Sequence, residues 1–478
     1  MMDGPMRDNT QFYIDGEWVD PVEANPQPVE NPATEEIIGH ITHGTAADVD
    51  RAVAAARRAF ESWQFSSREE RLALLKAIAS GIEARREELA RIVSAEMGAP
   101  MSLASGPHVG LLAGHCATAI EILEDFAFER QDGPTLHVHE PIGVVGMITP
   151  WNWPLNQIAC KVFPALATGN TMILKPSEIA PFNAMIFTEI LHEAGVPAGV
   201  FNLVNGDGPG VGTAMSGHEG IDMISFTGST RAGVAIAANA AATVKRVGQE
   251  LGGKSPNIIL DDAAFAHSVA RGTAAMMGNS GQTCTAPSRM LVPHARMEEA
   301  KVAAREAAEK VIPGDPGGNA TIGPVVSKAQ WDKIQGLIEA GVAEGATLVT
   351  GGAGKPEGLE TGHYVKPTVF AAVTNDMRIA REEIFGPVLA MIGYEDYDDA
   401  VRIANDTEYG LASHIMGEDL DTAQQLARRI RAGRVAINGG YDMHAAFGGY
   451  KKSGNGREWG RFGFDEFPEV KAIMGYAS

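Results

Sequence analysis

The chain has 478 residues, 45% apolar and 21% charged, the balance of a globular protein of about three domains rather than a disordered or fibrous one. Its formal net charge of −21 argues against a nucleic-acid partner or an anionic membrane surface, since both call for a basic face. No run reaches the ~18 apolar residues of a spanning helix, the segment through Trp18 lacks a signal-peptide core, and Cys116, Cys160 and Cys284 are too scattered for a disulfide framework or zinc cage. A cytoplasmic protein with no metal is expected.

Thr45–Trp63 reads as a helix. Thr45 and Asp48 make a capping-box pattern, and Val49, Ala52, Val53, Ala56, Phe60 and Trp63 recur every three or four residues. A longer charged helix is expected over Ser66–Met97, and an exposed β-ribbon strand over Gly133–Glu140. From Ile142, short apolar strands (Val144–Thr149, Thr171–Leu174, Val200–Val204, Met223–Phe226) alternate with helices at Gln157–Ala167, Phe182–Ala194 and Gly210–Ser216. The alternation resumes after Gly253 with strands at Asn257–Leu260, Met290–Val292, Leu348–Val349, Thr368–Val373, Val388–Ile392 and Arg434–Ile437. Helices at Met297–Val311, Lys328–Val342 and Leu420–Arg431 intervene. Such alternation implies right-handed crossovers and mainly parallel sheets, an α/β fold. Val470–Tyr476 is an apolar strand with no helix to cover it, and an edge of that kind invites pairing with a second chain.

Four windows carry chemistry. Gly281-Gln282-Thr283-Cys284 puts a cysteine in a polar, glycine-bearing loop after an apolar helix. A lone cysteine is commonly just buried, and a nucleophilic one needs help, because a free thiol is only a few per cent ionised at neutral pH. Gly248-Gln249-Glu250-Leu251-Gly252-Gly253 flanks a carboxylate with glycines that let backbone approach a ligand. Pro150-Trp151-Asn152-Trp153-Pro154 fixes a rigid turn at a strand's C-terminal end, where α/β sheets place ligands and an Asn can donate to an oxyanion. Lys175-Pro176-Ser177-Glu178 and Phe226-Thr227-Gly228-Ser229 each lie between a strand and a helix, the second offering an anion site at a helix N-terminus.

Taken in order, PWNWP, KPSE, FTGST, ELGGKSPN, GQTC, EEIFGPV and FGGYKKSG resemble the aldehyde dehydrogenase superfamily from Tyr13 to Lys471. The resemblance implies two doubly wound, mainly parallel sheets plus a small β arm for oligomerisation. The NAD-binding domain would take residues 1–122 and 142–252, the catalytic domain 253–452, and the oligomerisation arm and C-terminal tail 123–141 and 453–478. It implies Cys284 as nucleophile, Glu250 as general base and Asn152 as oxyanion donor, joined by the Cys284 backbone N–H. Lys175 and Glu178 would hold the adenosine ribose, Ser229 the pyrophosphate, Glu383 the nicotinamide ribose, and Phe385 would pack near the nicotinamide. Ile148, Trp151, Gly208, Phe226, Gly228 and Leu251 fall at other cofactor-contact positions.

The activity so implied is oxidation of an aldehyde to the free acid through a cysteine thiohemiacetal and thioester, with hydride passing to NAD. Glu250 favours hydrolysis over transfer to coenzyme A, and Glu178 favours NAD over NADP because a carboxylate repels a 2′-phosphate. Trp153, Gln157, Cys160, Thr283, Thr285 and Phe447 would line the aldehyde tunnel, wider at Cys160, where many relatives carry an aromatic ring. With no Arg at those positions, a medium-chain aliphatic or aromatic aldehyde is expected, with a semialdehyde as the alternative substrate. The alternatives are a thiol-dependent esterase or a non-catalytic NAD-binding protein of the same fold. A homodimer or homotetramer is expected. His137 and His139 read as a surface strand and His115-Cys116 as helix core, while Arg428, Arg429, Arg431 and Arg434 read as the solvated end of a helix.

Overall fold

A computed structural model describes residues 7–477. The capping pattern at Thr45 forms: its backbone N–H donates to Asp48 Oδ2 at 2.9 Å and opens the helix Ala46–Trp63. The helix expected over Ser66–Met97 is two, Arg68–Ala84 and Arg86–Met97. Arg85 lies between them at φ −108°, ψ 17°, and its guanidinium reaches Glu88 and Glu189.

Two sheets carry the molecule. The eight-stranded one runs in the order Gly454–Asn455, Arg246–Glu250, Met223–Thr227, Val144–Ile148, Thr171–Lys175, Phe201–Leu203, Phe12–Ile14, Glu17–Val19. Its inner strands are parallel and those entering from the chain ends antiparallel. From Val144–Ile148 the chain proceeds one way to Thr171–Lys175 and Phe201–Leu203, then returns to Met223–Thr227 on the other side. That reversal opens a crevice at the C-terminal strand ends, where the turns Pro150–Asn152 and Thr227–Ser229 emerge. The strand Arg246–Glu250 escapes sequence patterning because Arg, Val, Gly, Gln and Glu make no apolar run; it forms through pairing with Met223–Thr227 on one side and Gly454–Asn455 on the other.

The seven-stranded sheet runs Thr347–Thr350, Thr368–Ala371, Val388–Tyr394, Arg289–Pro293, Pro256–Ile259, Ala412–Met416, Arg434–Ile437, all parallel but the first. Its N-terminal strand ends face the C-terminal ends of the other sheet, and the catalytic windows lie in the cleft between. A hairpin, Glu129–Asp132 with Thr135–Pro141, pairs antiparallel with Pro468–Met474 as a separate three-stranded sheet. Pro26–Asn31, Glu36–Thr42 and Arg7–Asp8 form another, which sequence patterning misses. No helix of the described residues is long and apolar enough to cross a membrane.

Candidate active site

Cys284 follows the helix Phe265–Met277 through a turn in which Asn279, Ser280 and Gly281 all take positive φ (52°, 55° and 72°). Three such residues in a row are costly outside glycine, so surrounding contacts must hold them. They do. The Ser280 hydroxyl donates to the Gly323 carbonyl at 2.8 Å, and Gln282 Oε1 accepts from Val326 N–H at 2.9 Å. At Gly281 a Cβ would lie 2.1 Å from the Gly386 carbonyl oxygen, so only glycine lets the nucleophile loop seat against the Ile384–Pro387 turn.

Two cavities meet at Cys284. One, of about 610 Å³, is lined by Trp153, Gln157, Thr283, Thr285 and Phe447, five of the residues given above to the aldehyde tunnel. The other, of about 220 Å³, is lined by Trp151, Asn152, Gly228, Ser229, Glu383 and Phe385, with Leu251 at its wall. Cys284 and Gln157 line both. Asn152 Nδ2 donates to the Gln282 carbonyl at 3.1 Å, fixing the amide beside the nucleophile. Trp153 Nε1 donates to Thr283 Oγ1 at 2.9 Å, and its ring stacks on His108 with centroids 4.3 Å apart. Burial pushes the Cys284 thiol well up from its ordinary value, with the Glu383 and Glu250 charges adding to the effect.

Glu250 ends its strand, buried, and lines neither of these cavities. It faces a small void with Glu458 and Glu466, and neither carboxyl oxygen has a hydrogen-bond partner among the described residues. Burial, then the Glu458 charge, push its pKa well up from the ordinary carboxylate value. Glu458 is held by the buried Lys161 ammonium and accepts from Cys160 Sγ at 3.2 Å. Cys160 therefore does not line the aldehyde cavity as expected. Its side chain turns to the Glu458 carboxylate, behind Phe447 and Trp459.

Of the expected cofactor positions, Ile148 and Phe226 are paired strand residues in the buried wall below the small cavity. Lys175 donates to the Pro176 carbonyl at 2.9 Å and to Glu178 at 3.1 Å, and with Gly208 they sit farther along the crevice, outside the lining. Glu383 Oε1 accepts from Gly253 N–H at 2.8 Å. Sequence reading misses Gln330 and Lys333, on the helix Lys328–Ala343, which line the small cavity; Gln330 Nε2 donates to the Phe385 carbonyl at 2.8 Å. No motif marks them, because packing alone brings that helix over the turn.

The strand expected from Arg434 forms, but the helix before it stops at Ala427, short of the expected Arg431, and Arg434 is not part of a solvated helix end: it lines the larger cavity.

The aldehyde dehydrogenase family model matches residues 18–473. The chain belongs to the aldehyde dehydrogenase family. It is 53% identical to a 3-succinoylsemialdehyde-pyridine dehydrogenase from a Pseudomonas species, over 98% of this chain and 99% of that one. Among solved structures it is similar to aldehyde dehydrogenase C of Pseudomonas syringae, in complex with NAD+ and octanal (TM-score 0.97, 52% identity, 98% and 97% coverage). It is also similar to betaine aldehyde dehydrogenase of Staphylococcus aureus in complex with NAD+ (TM-score 0.94, 38% identity, 98% and 95% coverage). The two doubly wound sheets expected of an aldehyde dehydrogenase are those described above.

Proposed function

We propose that this aldehyde dehydrogenase oxidises an aldehyde to the free carboxylic acid with NAD+ as electron acceptor. Cys284 is the nucleophile, Asn152 the oxyanion donor and Glu250 the base for deacylation. The observation that carries the reading is the place of Cys284 at the junction of the two cavities, with the Asn152 amide fixed beside it.

The residues of the smaller cavity fit a dinucleotide. Ser229 caps the helix Thr230–Ala240 by accepting from Ala232 N–H at 3.3 Å, which keeps its hydroxyl hydrogen for a phosphate at that positive helix end. Glu383 uses one oxygen on Gly253 N–H and keeps the other for sugar hydroxyls. Trp151 and Phe385 meet edge to face at 5.4 Å and form an aromatic wall of the smaller cavity against which a flat ring can pack. Lys175 and Glu178 would take the second ribose. When bound, NAD+ supplies the carbon that accepts hydride.

An aldehyde has no leaving group, so its hydrogen can depart as hydride only after a nucleophile makes the carbon tetrahedral. Cys284 first gives its S–H proton to water; the thiolate then bonds to the carbonyl carbon, the C=O π pair moves onto oxygen, and that negative charge lies within reach of Asn152 Nδ2 and the Cys284 N–H. The thioester left after oxidation is cleaved by water, whose proton Glu250 takes. Burial opposes the charged form of Glu250, so its ionisation and its turn toward Cys284 must precede deacylation. Glu458, paired with Lys161, is the charged neighbour placed to govern that step.

We assign the domains by the two large sheets and the separate hairpin sheet, with Gly454–Asn455 going to the eight-stranded sheet rather than to the arm and tail. The hairpin sheet leaves Val470, Ile473 and Met474 exposed, and we assign it to contact between copies, as a dimer or dimer of dimers. The three cysteines are unpaired, which suits the reducing cytoplasm. An aldehyde panel incubated with NAD+, scored for NADH and carboxylic acid together, tests the reading. Equimolar NADH and acid without coenzyme A is the expected result; acid released from esters only, with no NADH from any aldehyde, would replace it with an esterase.

A further inference from the structure

Among the described residues, Arg434 is the one permanently charged side chain lining the aldehyde cavity. Its guanidinium makes no side-chain hydrogen bond or ion pair with any described residue, and it packs over aromatic rings, with centroids 5.6 Å away at Tyr441, 5.8 Å at Phe447 and 5.1 Å at Trp459.

The contrast with the other inward-turned arginines is sharp. Arg289 donates to the Lys254, Ile403 and Ala404 carbonyls and to Asn375 Oδ1; Arg71 donates to Ser66 Oγ and to the Gln64 and Ala167 carbonyls. Those are structural arginines whose donors are spent on the protein. Arg434 keeps its five N–H groups. The three rings hold the guanidinium by cation–π contact, which uses none of its N–H donors. Asp442, the acid whose charge it feels, does not pair with it, and the nearby His414 is committed to the Thr285 carbonyl at 2.9 Å.

We propose that Arg434 determines specificity by donating to a hydrogen-bond acceptor on the substrate's tail, so that the preferred class is aldehydes bearing a carboxylate or carbonyl away from the formyl group. This rests on the aldehyde-oxidation reading above and replaces the expectation of a tunnel without arginine. A plain alkyl chain still fits the cavity but leaves the guanidinium without a partner. An acceptor on the tail satisfies it with a charge-assisted bond in a partly dry site.

The test uses aldehydes matched in chain length: an n-alkanal, the corresponding ω-oxo acid and the corresponding keto-aldehyde, each with the wild type, Arg434→Met and Arg434→Lys. The readout is the ratio of kcat/KM for each tailed aldehyde to that for the alkanal, so a loss of folded enzyme cancels. In Arg434→Met the ratio should fall about tenfold or more, mostly through KM, for at least one tailed series, with partial recovery in Arg434→Lys. Which series responds separates an anionic from a neutral acceptor. As a binding readout, the ω-dicarboxylic acid product titrated into Cys284→Ala by tryptophan fluorescence should bind more weakly once Arg434→Met is added. Equal losses for tailed and plain aldehydes, with unchanged product binding, would overturn the assignment while leaving aldehyde oxidation standing. Absence of NADH with every aldehyde would overturn both.

Discussion

Asn279 and Asn152 tie the two halves of the site together: Asn279 Nδ2 donates to the Asn152 carbonyl at 2.9 Å, while Asn152 Nδ2 donates to the Gln282 carbonyl at 3.1 Å. The turn after Val144–Ile148 and the loop before Arg289–Pro293 therefore move as one body. Asn152 spends one Nδ2 hydrogen on this tie and keeps the other for the substrate oxygen. Asn152→Ala removes both, and kcat should fall by about 10²–10³ with a smaller change in KM. Asn279→Ala keeps the oxyanion donor but frees its mount, so its loss in kcat should be smaller than that of Asn152→Ala. Steady-state kinetics on the two variants checks the order.

The pH dependence of turnover should report on Glu250. Its carboxyl is raised by burial and by the Glu458 charge, so the carboxylate base appears only well above the ordinary carboxylate range, and kcat should rise with pH on the acid side. Glu458→Gln removes a nearby negative charge and leaves the Lys161 cation in place. Both changes favour the Glu250 carboxylate, so the acid limb of kcat should move to lower pH. An unmoved limb would separate Glu458 from the base.

Lys161 and Glu458 form a buried ion pair. Removing one partner strands the other charge. Lys161→Met should therefore cost about 3–5 kcal/mol of stability by urea unfolding, whereas an exposed pair such as Lys328–Asp332 (2.7 Å) should contribute below about 1 kcal/mol.

Acid should weaken the fold through two buried histidines. Burial lowers His108 to about 3 and His115 to about 4, from 6.5. The unfolded chain protonates them near 6.5 while the folded one keeps them neutral, so stability is full above that pH and declines as pH falls toward 4 and then 3. The slope is at most about 1.4 kcal/mol per pH unit for each histidine. His115 Nε2 bonds Asn156 Oδ1 at 2.9 Å, and His115→Gln keeps a donor there. Urea unfolding of that variant between pH 7 and 5 should show a shallower decline than the wild type.

Cofactor choice should turn on Glu178, whose carboxylate is bound to Lys175 and still 37% exposed. Glu178→Ala removes the charge that opposes a 2′-phosphate and frees the Lys175 ammonium. The ratio of kcat/KM for NADP to that for NAD should rise at least about tenfold.

Most of the fold is legible because the strands buried on both faces read as apolar runs, as at Val144–Ile148 and Val388–Tyr394. The strand Arg246–Glu250 is not, since its sequence is mixed and its conformation comes from its neighbours. Cys284, Asn152 and Trp151 stand out because glycine, proline and polar types cluster around them, whereas Glu383 is picked out only through the family resemblance. Arg434, Gln330 and Lys333 carry no local signature. Arg434 follows other arginines at the end of a helix, and only the sheet that starts at its own position turns it inward. Cys160 shows the reverse case: its place in the chain points to the tunnel, while the Glu458 carboxylate behind it holds the thiol.

The most direct measurement is acid quenching of Glu250→Gln during oxidation of an aldehyde with NAD+, followed by peptide mass spectrometry. One acyl group should accumulate on the peptide bearing Cys284, at a stoichiometry matching the first burst of NADH, because the thioester forms but is no longer hydrolysed efficiently. NADH production with no adduct on Cys284, or with the acyl group on Cys160 or Cys116 instead, would contradict the account.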